Sequence, residues 1–176
     1  MTLGNFLQYS GAKWNKVGNS GKVLMFRGIS SVNLDVKGRM AMPARYRIVL
    51  QQDAQNKMVV TIDTEEKCLL LYPLPEWNTI EAKIEALPSF NTTTRRIQRL
   101  LIGHATELEL DNNGRVLLPP LLREYAALEK QIVLVGQGKK FEIWDAKSWQ
   151  NGRETWLASG INDLPQLPDE LKYLSL

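Results

Sequence analysis

The sequence predicts a mixed α+β fold built from two similar ββαββ repeats, each followed by a helix. A motif occurs twice: residues 33–47 (NLDVKGRMAMPARYR) return at a constant offset of 76 as residues 109–123 (ELDNNGRVLLPPLLR). Strand and helix periodicities follow each copy in the same order. Because a repeat of about 45 residues buries too little apolar surface to be stable alone, we expect one pseudo-symmetric domain in which each repeat completes the other's sheet.

Each copy of the motif has the local chemistry of a tight turn between two strands, followed by a helix. In the first copy a strand ends at Asp35, Gly38 supplies the turn, and Pro43 opens a helix as its first residue. The second copy has the same residue types at Asp111, Gly114 and Pro119. This agreement at three different structural positions predicts an internal repeat.

The first repeat is predicted to hold four strands and two helices. In chain order they are strands 29–34 and 39–42, a helix over 43–52, strands 58–63 and 67–72, and a helix over 76–87. On the first helix we expect Tyr46, Val49 and Leu50 to face inward. The inward face of the second helix is marked by apolar residues at helical spacing, namely Trp77, Ile80, Ile84 and Leu87.

The chain between the repeats is predicted to be helical. Pro88 and Ser89 end the preceding helix, and Asn91 with Thr92 provides the cap of another helix that runs to about residue 104. That helix carries a basic stripe of Arg95, Arg96 and Arg99. A solvated face or salt bridges to a neighbour is the simplest interpretation of this stripe, with phosphate contact as the less favoured one.

Five segments therefore divide the chain. They are a disordered N-terminal extension (1–24), the first repeat (25–77), the helical linker (78–104), the second repeat (105–149), and a C-terminal helix end and tail (150–176). The extension is rich in Gly, Asn, Ser and Lys and lacks the continuous apolar core of a secretory signal.

Composition places the chain among ordinary globular proteins and excludes several classes. Of its 176 residues 44% are hydrophobic and 23% are charged, and no apolar run approaches membrane-spanning length. The net charge is +3, but residues 1–24 contain three lysines and no acid, so the remainder has 19 basic and 19 acidic residues. Any affinity for nucleic acid must come from local concentrations of Lys and Arg.

Residues that commonly carry catalysis or bind metals are sparse. Cys68, the single cysteine, lies in an apolar run and is predicted to be a buried small hydrophobe in a reducing cytoplasm. His104, the single histidine, has no second histidine or cysteine pair nearby, so we expect a core or helix-end residue rather than a metal ligand. Without a nucleophile elbow, a Gly-rich phosphate loop or a His-Glu-x-x-His motif, the sequence predicts no enzyme and no cofactor.

The duplicated Asp-x-x-Gly-Arg is the sharpest functional signal. A turn alone explains the Asp and the Gly, but it does not require an arginine at the same place twice. The Asp four positions earlier can hold the guanidinium of Arg39, and equally that of Arg115, as a preset fork. Such a fork matches the two major-groove acceptors of guanine, or two phosphate oxygens.

Several blocks of the sequence resemble the MraZ family of bacterial transcriptional regulators. The blocks are 25–28 (MFRG), 34–39 (LDVKGR), 70–77 (LLYPLPEW), 99–105 (RLLIGHA) and 134–137 (LVGQ). The resemblance covers essentially residues 25–176. It implies SpoVT-AbrB-type repeats that form a swapped-hairpin β-barrel, assembled into a ring-shaped homo-oligomer.

The resemblance also implies a function and a set of site residues. The function is binding of double-stranded DNA at G-rich direct repeats upstream of the protein's own gene, in the division and cell-wall cluster, in the cytoplasm and associated with the nucleoid. The family's Asp-x-x-x-Arg DNA-binding motif carries over to Asp35 with Arg39 and to Asp111 with Arg115. We add Lys37 and Arg27 as further DNA-binding candidates. Asn113 replaces Lys37 in the second copy, so we expect the first copy to bind phosphate more strongly.

Two other functions remain as alternatives. An AbrB-like antitoxin would bind DNA and also a toxin through an extended tail, but such proteins usually have one repeat per chain. An oligomeric scaffold would use its arginines only for salt bridges between subunits. DNA binding that weakens steeply with salt would separate a DNA-binding protein from the scaffold.

We expect residues 1–24 to be a translated stretch of the gene's own operator rather than a working part of the protein. Trp14 must be encoded by TGG, and Val17-Gly18 and Ser20-Gly21 permit two further TGG triplets. The three triplets would begin about ten nucleotides apart, close to one turn of B-DNA. The alternative is a disordered arm whose lysines, Lys13, Lys16 and Lys22, add nonspecific phosphate affinity.

Overall fold

The computed structural model describes residues 25–159, which form eight strands, five α-helices and one π-helical segment. The strands are β1 (Phe26–Asn33), β2 (Arg39–Ala41), β3 (Lys57–Ile62), β4 (Leu69–Pro73), β5 (Thr106–Glu109), β6 (Arg115–Leu117), β7 (Gln131–Gly138) and β8 (Lys140–Asp145). The helices are α1 (Ala44–Ala54), α2 (Leu74–Glu85), α3 (Thr92–Ile97), α4 (Pro120–Tyr125) and α5 (Ala146–Ser159), with the π-helical segment at Gln98–Ile102. The predictions made for residues 1–24 and for the tail after 159 lie outside the described residues.

The two repeats exchange strands. Six strands form one sheet in the order β1-β7-β8-β4-β3-β5, with antiparallel pairing throughout. β1 of the first repeat pairs with β7 of the second over eight residues, and β5 of the second pairs with β3 of the first. β2 and β6, one from each repeat, form a separate two-stranded ribbon. Each repeat therefore completes the other's sheet, as the small size of the repeats predicts.

The mixed α+β class is confirmed, but the strands do not form a closed barrel. The six-stranded sheet is open, with β1 and β5 at its edges, and the β2–β6 ribbon pairs apart from it. The physical reason is that the ribbon meets the end of β1 through a single bridge, between Leu34 and Met40, while its two short strands pair mainly with each other.

The main core joins the two repeats on one side of the sheet. Its aromatic centre has Phe26 and Phe141 with ring centroids 4.1 Å apart, and Tyr46 lies 4.8 Å from Phe141. The Tyr46 hydroxyl donates a 2.6 Å hydrogen bond to the Arg27 carbonyl, so this buried ring keeps its polar end satisfied. Because Phe26 and Phe141 come from different repeats, the core stabilises the strand exchange.

Several predicted elements are confirmed with shifted ends. β1 begins at Phe26, three residues before the predicted start, because it follows β7 to the end of its register, where Phe26 pairs with Gly138. α2 begins at Leu74, directly after Pro73, and ends at Glu85. The expectation that Leu87 faces inward on this helix is wrong: it lies beyond the helix and is 42% exposed.

The linker between the repeats is helical, as predicted. The Asn91 side chain caps α3 by accepting hydrogen bonds from the backbone N–H groups of Thr93 (2.7 Å) and Thr94 (3.4 Å). The helix continues as the π-helical segment, which the sequence does not predict. His104 follows this segment and its Nδ1 lies 2.9 Å from the Leu100 carbonyl, so it is a helix-end histidine.

Phe26→Ala tests whether the two repeats are one cooperative unit. Removing this buried ring should cost about 3–5 kcal/mol of unfolding free energy and leave a single transition, because the cavity lies between the repeats. Phe90, 96% exposed, supplies the control, since Phe90→Ala makes the same chemical change without a cavity. Denaturant unfolding followed by circular dichroism measures both, and two separate transitions would contradict a shared core.

Candidate nucleic-acid interface

The β2–β6 ribbon places Arg39 and Arg115 on the same surface. In the antiparallel pair Arg39 lies opposite Leu117 and Ala41 lies opposite Arg115. Side chains opposite each other in such a pair point to the same side, and alternate residues point to opposite sides. Met40 and Val116, the central pair, are 0% and 1% exposed and face the core. The two arginines therefore both leave the ribbon on its outer face.

Ladder geometry fixes the spacing of these arginines. They are offset by two residues along the strands and by one strand across the ribbon, which puts their Cα atoms about 8 Å apart. Between them the outer face carries only Ala41 and Leu117, of which Leu117 is 54% exposed. The guanidinium groups consequently extend side by side from a narrow surface with few large side chains.

Asp35 holds the first arginine through both of its carboxylate oxygens. Oδ1 accepts the backbone N–H groups of Lys37 and Arg39, each at 2.9 Å, which closes the turn. Oδ2 accepts Nε–H of Arg39 at 2.7 Å. Since the carboxylate occupies Nε, the two terminal nitrogens of the Arg39 guanidinium remain for an acceptor outside the turn.

The second turn repeats this arrangement closely. Oδ1 of Asp111 accepts the backbone N–H groups of Asn113 and Arg115, each at 2.9 Å. Oδ2 of Asp111 accepts Nε–H of Arg115 at 2.9 Å and lies 2.9 Å from Nη2. The side chains of both Asp–Arg pairs are about one-third exposed, so the forks are preset and accessible together.

Both turn carboxylates stay ionised over the ordinary range of pH. The backbone N–H of Arg39 is the main cause that lowers the pKa of Asp35 to about 2, and the Arg39 guanidinium adds to it. The backbone N–H of Arg115 likewise lowers the pKa of Asp111. A depressed carboxyl pKa stabilises the fold above the unfolded pKa near 4 and loses this contribution as pH falls towards 2. The forks should therefore keep their geometry throughout the neutral range.

Each turn is also covered by an arginine from the other repeat. Gly38 has φ of 82°, and a Cβ built on it would lie 2.5 Å from Cζ of Arg123. Gly114 has φ of 71°, and a Cβ built on it would clash with Nε of Arg47. Glycine thus serves two needs at once, the left-handed backbone of the turn and the close approach of a guanidinium.

Arg47 and Arg123 are residues to which the sequence analysis gave no role. Each donates Nε–H to a backbone carbonyl of its own repeat, Arg47 to Met42 at 2.7 Å and Arg123 to Leu118 at 3.1 Å. The signal that marks them is their match at the last position of the two motif copies. That match gave no reason to expect contact with the turn of the other repeat.

Comparison with known proteins gives the family. A family model described as "MraZ protein, putative antitoxin-like" matches residues 25–100 and 101–159. The chain belongs to the MraZ family. Proteins named "Transcriptional regulator MraZ" are similar to it over 152 residues, which is 86% of this chain and 100% of each relative. They are 57% identical in Coxiella burnetii (strain RSA 493 / Nine Mile phase I), 55% in Legionella pneumophila (strain Paris) and 51% in Halorhodospira halophila.

The structure unites most, but not all, of the candidate DNA-binding residues. Arg39 and Arg115 share the ribbon, with Asp35 and Asp111 in the turns beside it, and Lys37 is exposed at the tip of the first turn. Arg27 is separate. It lies near the start of β1, at the opposite end of that strand from the first turn, and is exposed opposite Gln137.

The remaining candidates are also placed. Cys68 is buried, as predicted, and burial raises the pKa of its thiol. Within residues 25–159 no three His, Cys, Asp or Glu side chains gather as a metal site would require. Among the helices of the same part of the chain, none has the length and hydropathy to cross a membrane.

Asp35→Asn separates the two roles of Asp35, which are closing the turn and holding the Arg39 guanidinium. Asparagine keeps the Oδ1 acceptor for the two backbone N–H groups but presents an amide to Nε of Arg39. We expect a lower thermal midpoint, because the neutral amide accepts the turn's N–H groups more weakly than the carboxylate does. We expect DNA affinity about 2- to 12-fold weaker, because the arginine must then be ordered on binding.

Weaker DNA binding by Asp35→Asn would run against the effect of charge alone. Loss of one negative charge should by itself strengthen DNA binding. Asp53→Asn, which removes a charge near the C-terminal end of α1, is the control for that effect. Fluorescence anisotropy with an operator duplex measures both variants. Equal or tighter binding by Asp35→Asn would show that the carboxylate does not position Arg39.

Proposed function

We propose that this protein is a sequence-specific DNA-binding transcriptional regulator, acting mainly as a repressor. Its target is G-rich direct repeats upstream of its own gene in the division and cell-wall cluster, bound in the cytoplasm at the nucleoid by a ring-shaped homo-oligomer. The observation that carries the proposal is the pair of Asp-held arginines, Arg39 and Arg115, on the outer face of one two-stranded ribbon.

The ribbon has suitable dimensions for the major groove of DNA. That groove is about 12 Å wide and admits a two-stranded β-ribbon. Arginine is the usual partner of guanine there, because two of its N–H groups match the O6 and N7 acceptors. Asp35 accepts only the Nε–H of Arg39, so the terminal nitrogens of the guanidinium can make that contact. This chemistry supports a preference for G-rich sites.

Neighbouring basic residues suit the phosphates on either side of the groove. Lys37 lies at the tip of the first turn, while Arg123 and Arg47 lie against the first and second turns. Such contacts fix the position of a protein on DNA without reading sequence. Asn113 offers no charge at the second tip, so the first turn binds phosphate more strongly in this proposal.

Oligomerisation follows from the small number of base-reading groups. One subunit offers two such arginines, and each good bidentate contact contributes only about 1–3 kcal/mol of discrimination. Subunits arranged side by side gain affinity by engaging successive DNA repeats at high effective concentration.

The names of the relatives support the regulatory role. The exchange of β1 and β5 between the two repeats of the chain supports the swapped-hairpin relationship expected of the family. The repeat boundaries 25–77 and 105–149 and the role of Arg27 remain part of this proposal.

Arg39→Ala tests the assignment directly. We expect the fold and the oligomer to persist, because Arg39 points away from the core, and specific binding to fall about 5- to 150-fold per site. Arg115→Ala should weaken binding by the same amount or less. The measurement is a gel shift with a duplex taken from upstream of the gene, at two salt concentrations.

Lys139→Ala is the control, because Lys139 is exposed in the turn between β7 and β8, at the end of β7 farthest from the first turn. It should leave specific binding unchanged. Wild-type affinity in Arg39→Ala would refute the assignment. Wild-type affinity that does not fall steeply with salt would instead favour the scaffold alternative.

A further inference from the structure

Three tryptophans gather on the side of the sheet that faces away from the main core. Trp144 comes from β8, and Trp149 and Trp156 come from α5. All three pairs make edge-to-face contacts, with ring centroids 5.6–5.8 Å apart. We call this cluster, with the acidic residues around it, the tryptophan face.

The tryptophan face surrounds an acidic depression. A cavity of about 350 Å³ is lined by the three tryptophans together with Asp63, Glu66 and Glu142. Among residues 25–159 no lysine or arginine lines it, although Lys140 Nζ lies 3.3 Å from Oε1 of Glu142 and pairs with that carboxylate from outside the cavity. Glu142 accepts the indole N–H of Trp144 at 3.1 Å and so keeps its carboxylate at the wall of the cavity.

This surface is only partly covered by the described residues. Trp156 is 45% exposed, and none of the residues of α5 is fully buried. The adjoining β1 strand adds Ile29, 54% exposed, directly opposite Val135 of the cavity wall. An apolar surface with a charged rim is typical of an interaction site.

The chemistry of the tryptophan face selects a planar cation. Guanidinium groups stack on indole rings and make bidentate contacts with carboxylates, whereas the more strongly hydrated ammonium of lysine does neither as well. Carboxylates beside exposed rings therefore favour arginine as the entering group.

The same chain presents a set of arginines in another place. Arg95, Arg96 and Arg99 are all exposed on α3 and the π-helical segment that continues it. Within residues 25–159 none of the three forms an ion pair. This segment packs over β3, where the Thr61 hydroxyl donates to the Leu101 carbonyl, while the tryptophan face lies over β7 and β8.

We propose that the arginine stripe of one copy docks on the tryptophan face of a second copy. The contact is heterologous, since two different surfaces meet, and each copy keeps one free surface of each kind. Repetition of such a contact builds a chain of copies that closes into a ring when the rotation permits. The proposal deepens the proposed function, because it rests on the oligomer and assigns the surfaces that join its subunits.

Two other segments of the chain compete for this surface, and charge and chemistry favour the stripe over both. The residues after 159 include three acids, Asp163, Asp169 and Glu170, against one lysine, and would be repelled by the acidic rim. Residues 1–24 are basic but carry lysines only. The stripe offers several arginines on a backbone that is already helical, so docking does not have to order the backbone as well as the side chains.

Charge reversal with complementation tests the interface. One variant combines Arg95→Glu, Arg96→Glu and Arg99→Glu. The other combines Glu66→Lys with Gln137→Lys, whose side chains are both exposed at the rim. Each full-length variant alone should shift by light scattering from the wild-type oligomer towards the 20.0 kDa monomer. An equimolar mixture should recover the oligomer, because each variant's altered surface then meets a complementary partner.

Matched reversals on helices of the main core, Arg45→Glu on α1 and Glu124→Lys on α4, change exposed charges elsewhere and should leave the mass unchanged. Recovery of the oligomer on mixing also shows that both variants are folded. The single change Arg96→Glu should make the oligomer dissociate at a lower salt concentration than wild type. Wild-type mass in both reversal variants would overturn the interface while leaving the proposed function standing.

Two further outcomes have distinct meanings. Loss of the oligomer on deletion of residues 1–24, or of residues 160–176, with no effect of the arginine changes, would identify that segment as the occupant and overturn the proposal. A monomeric wild-type protein would contradict the oligomer of the proposed function itself. Gel shifts on the same samples report DNA binding separately.

Discussion

The pairing of β2 with β6 is the constraint on which the candidate site depends. Each of these strands has only three residues and comes from a different repeat, and their register, with Arg39 opposite Leu117, puts both arginines on one outward face. A slip of one residue would turn both guanidinium groups toward the core, because side chains alternate along a strand. The buried Met40 and Val116 between them oppose that slip, so core packing also sets the direction of the functional side chains.

The electrostatics of the site are local. Beyond the first 24 residues the chain has as many acids as bases, so no bulk charge draws it to DNA. The turns instead combine a carboxylate, which fixes the arginine, with a second arginine from the other repeat. Gly38 and Gly114 make this close approach possible by lacking a side chain. The same exchange of strands that completes the sheet therefore also interlocks the two turns.

The sequence predicts the local chemistry better than the long-range pairing. The duplicated Asp-x-x-Gly-Arg motif correctly gave the turns and the Asp–Arg hydrogen bonds, since these depend on residues four positions apart. Asn91 was identified as a helix cap for the same reason. The sequence did not predict the π-helical segment, the exposure of Leu87 or the contacts of Arg47 and Arg123. Those features depend on which strand pairs with which, and no local pattern specifies that. The barrel implied by family resemblance is likewise not formed by the hydrogen bonds between strands.

Guanine methylation protection tests the central claim, that the ribbon reads DNA from the major groove. Dimethyl sulfate modifies guanine N7 in that groove, the same acceptor that a bidentate arginine would occupy. With an operator duplex saturated by protein, the account predicts protection of guanines in each G-rich repeat. Protection should be lost at the guanine assigned to Arg39 when Arg39→Ala is bound at saturation. Full reactivity of every guanine N7 at saturating wild-type protein would contradict major-groove reading. Displacement of the protein from the duplex by a ligand of the minor groove would contradict it as well.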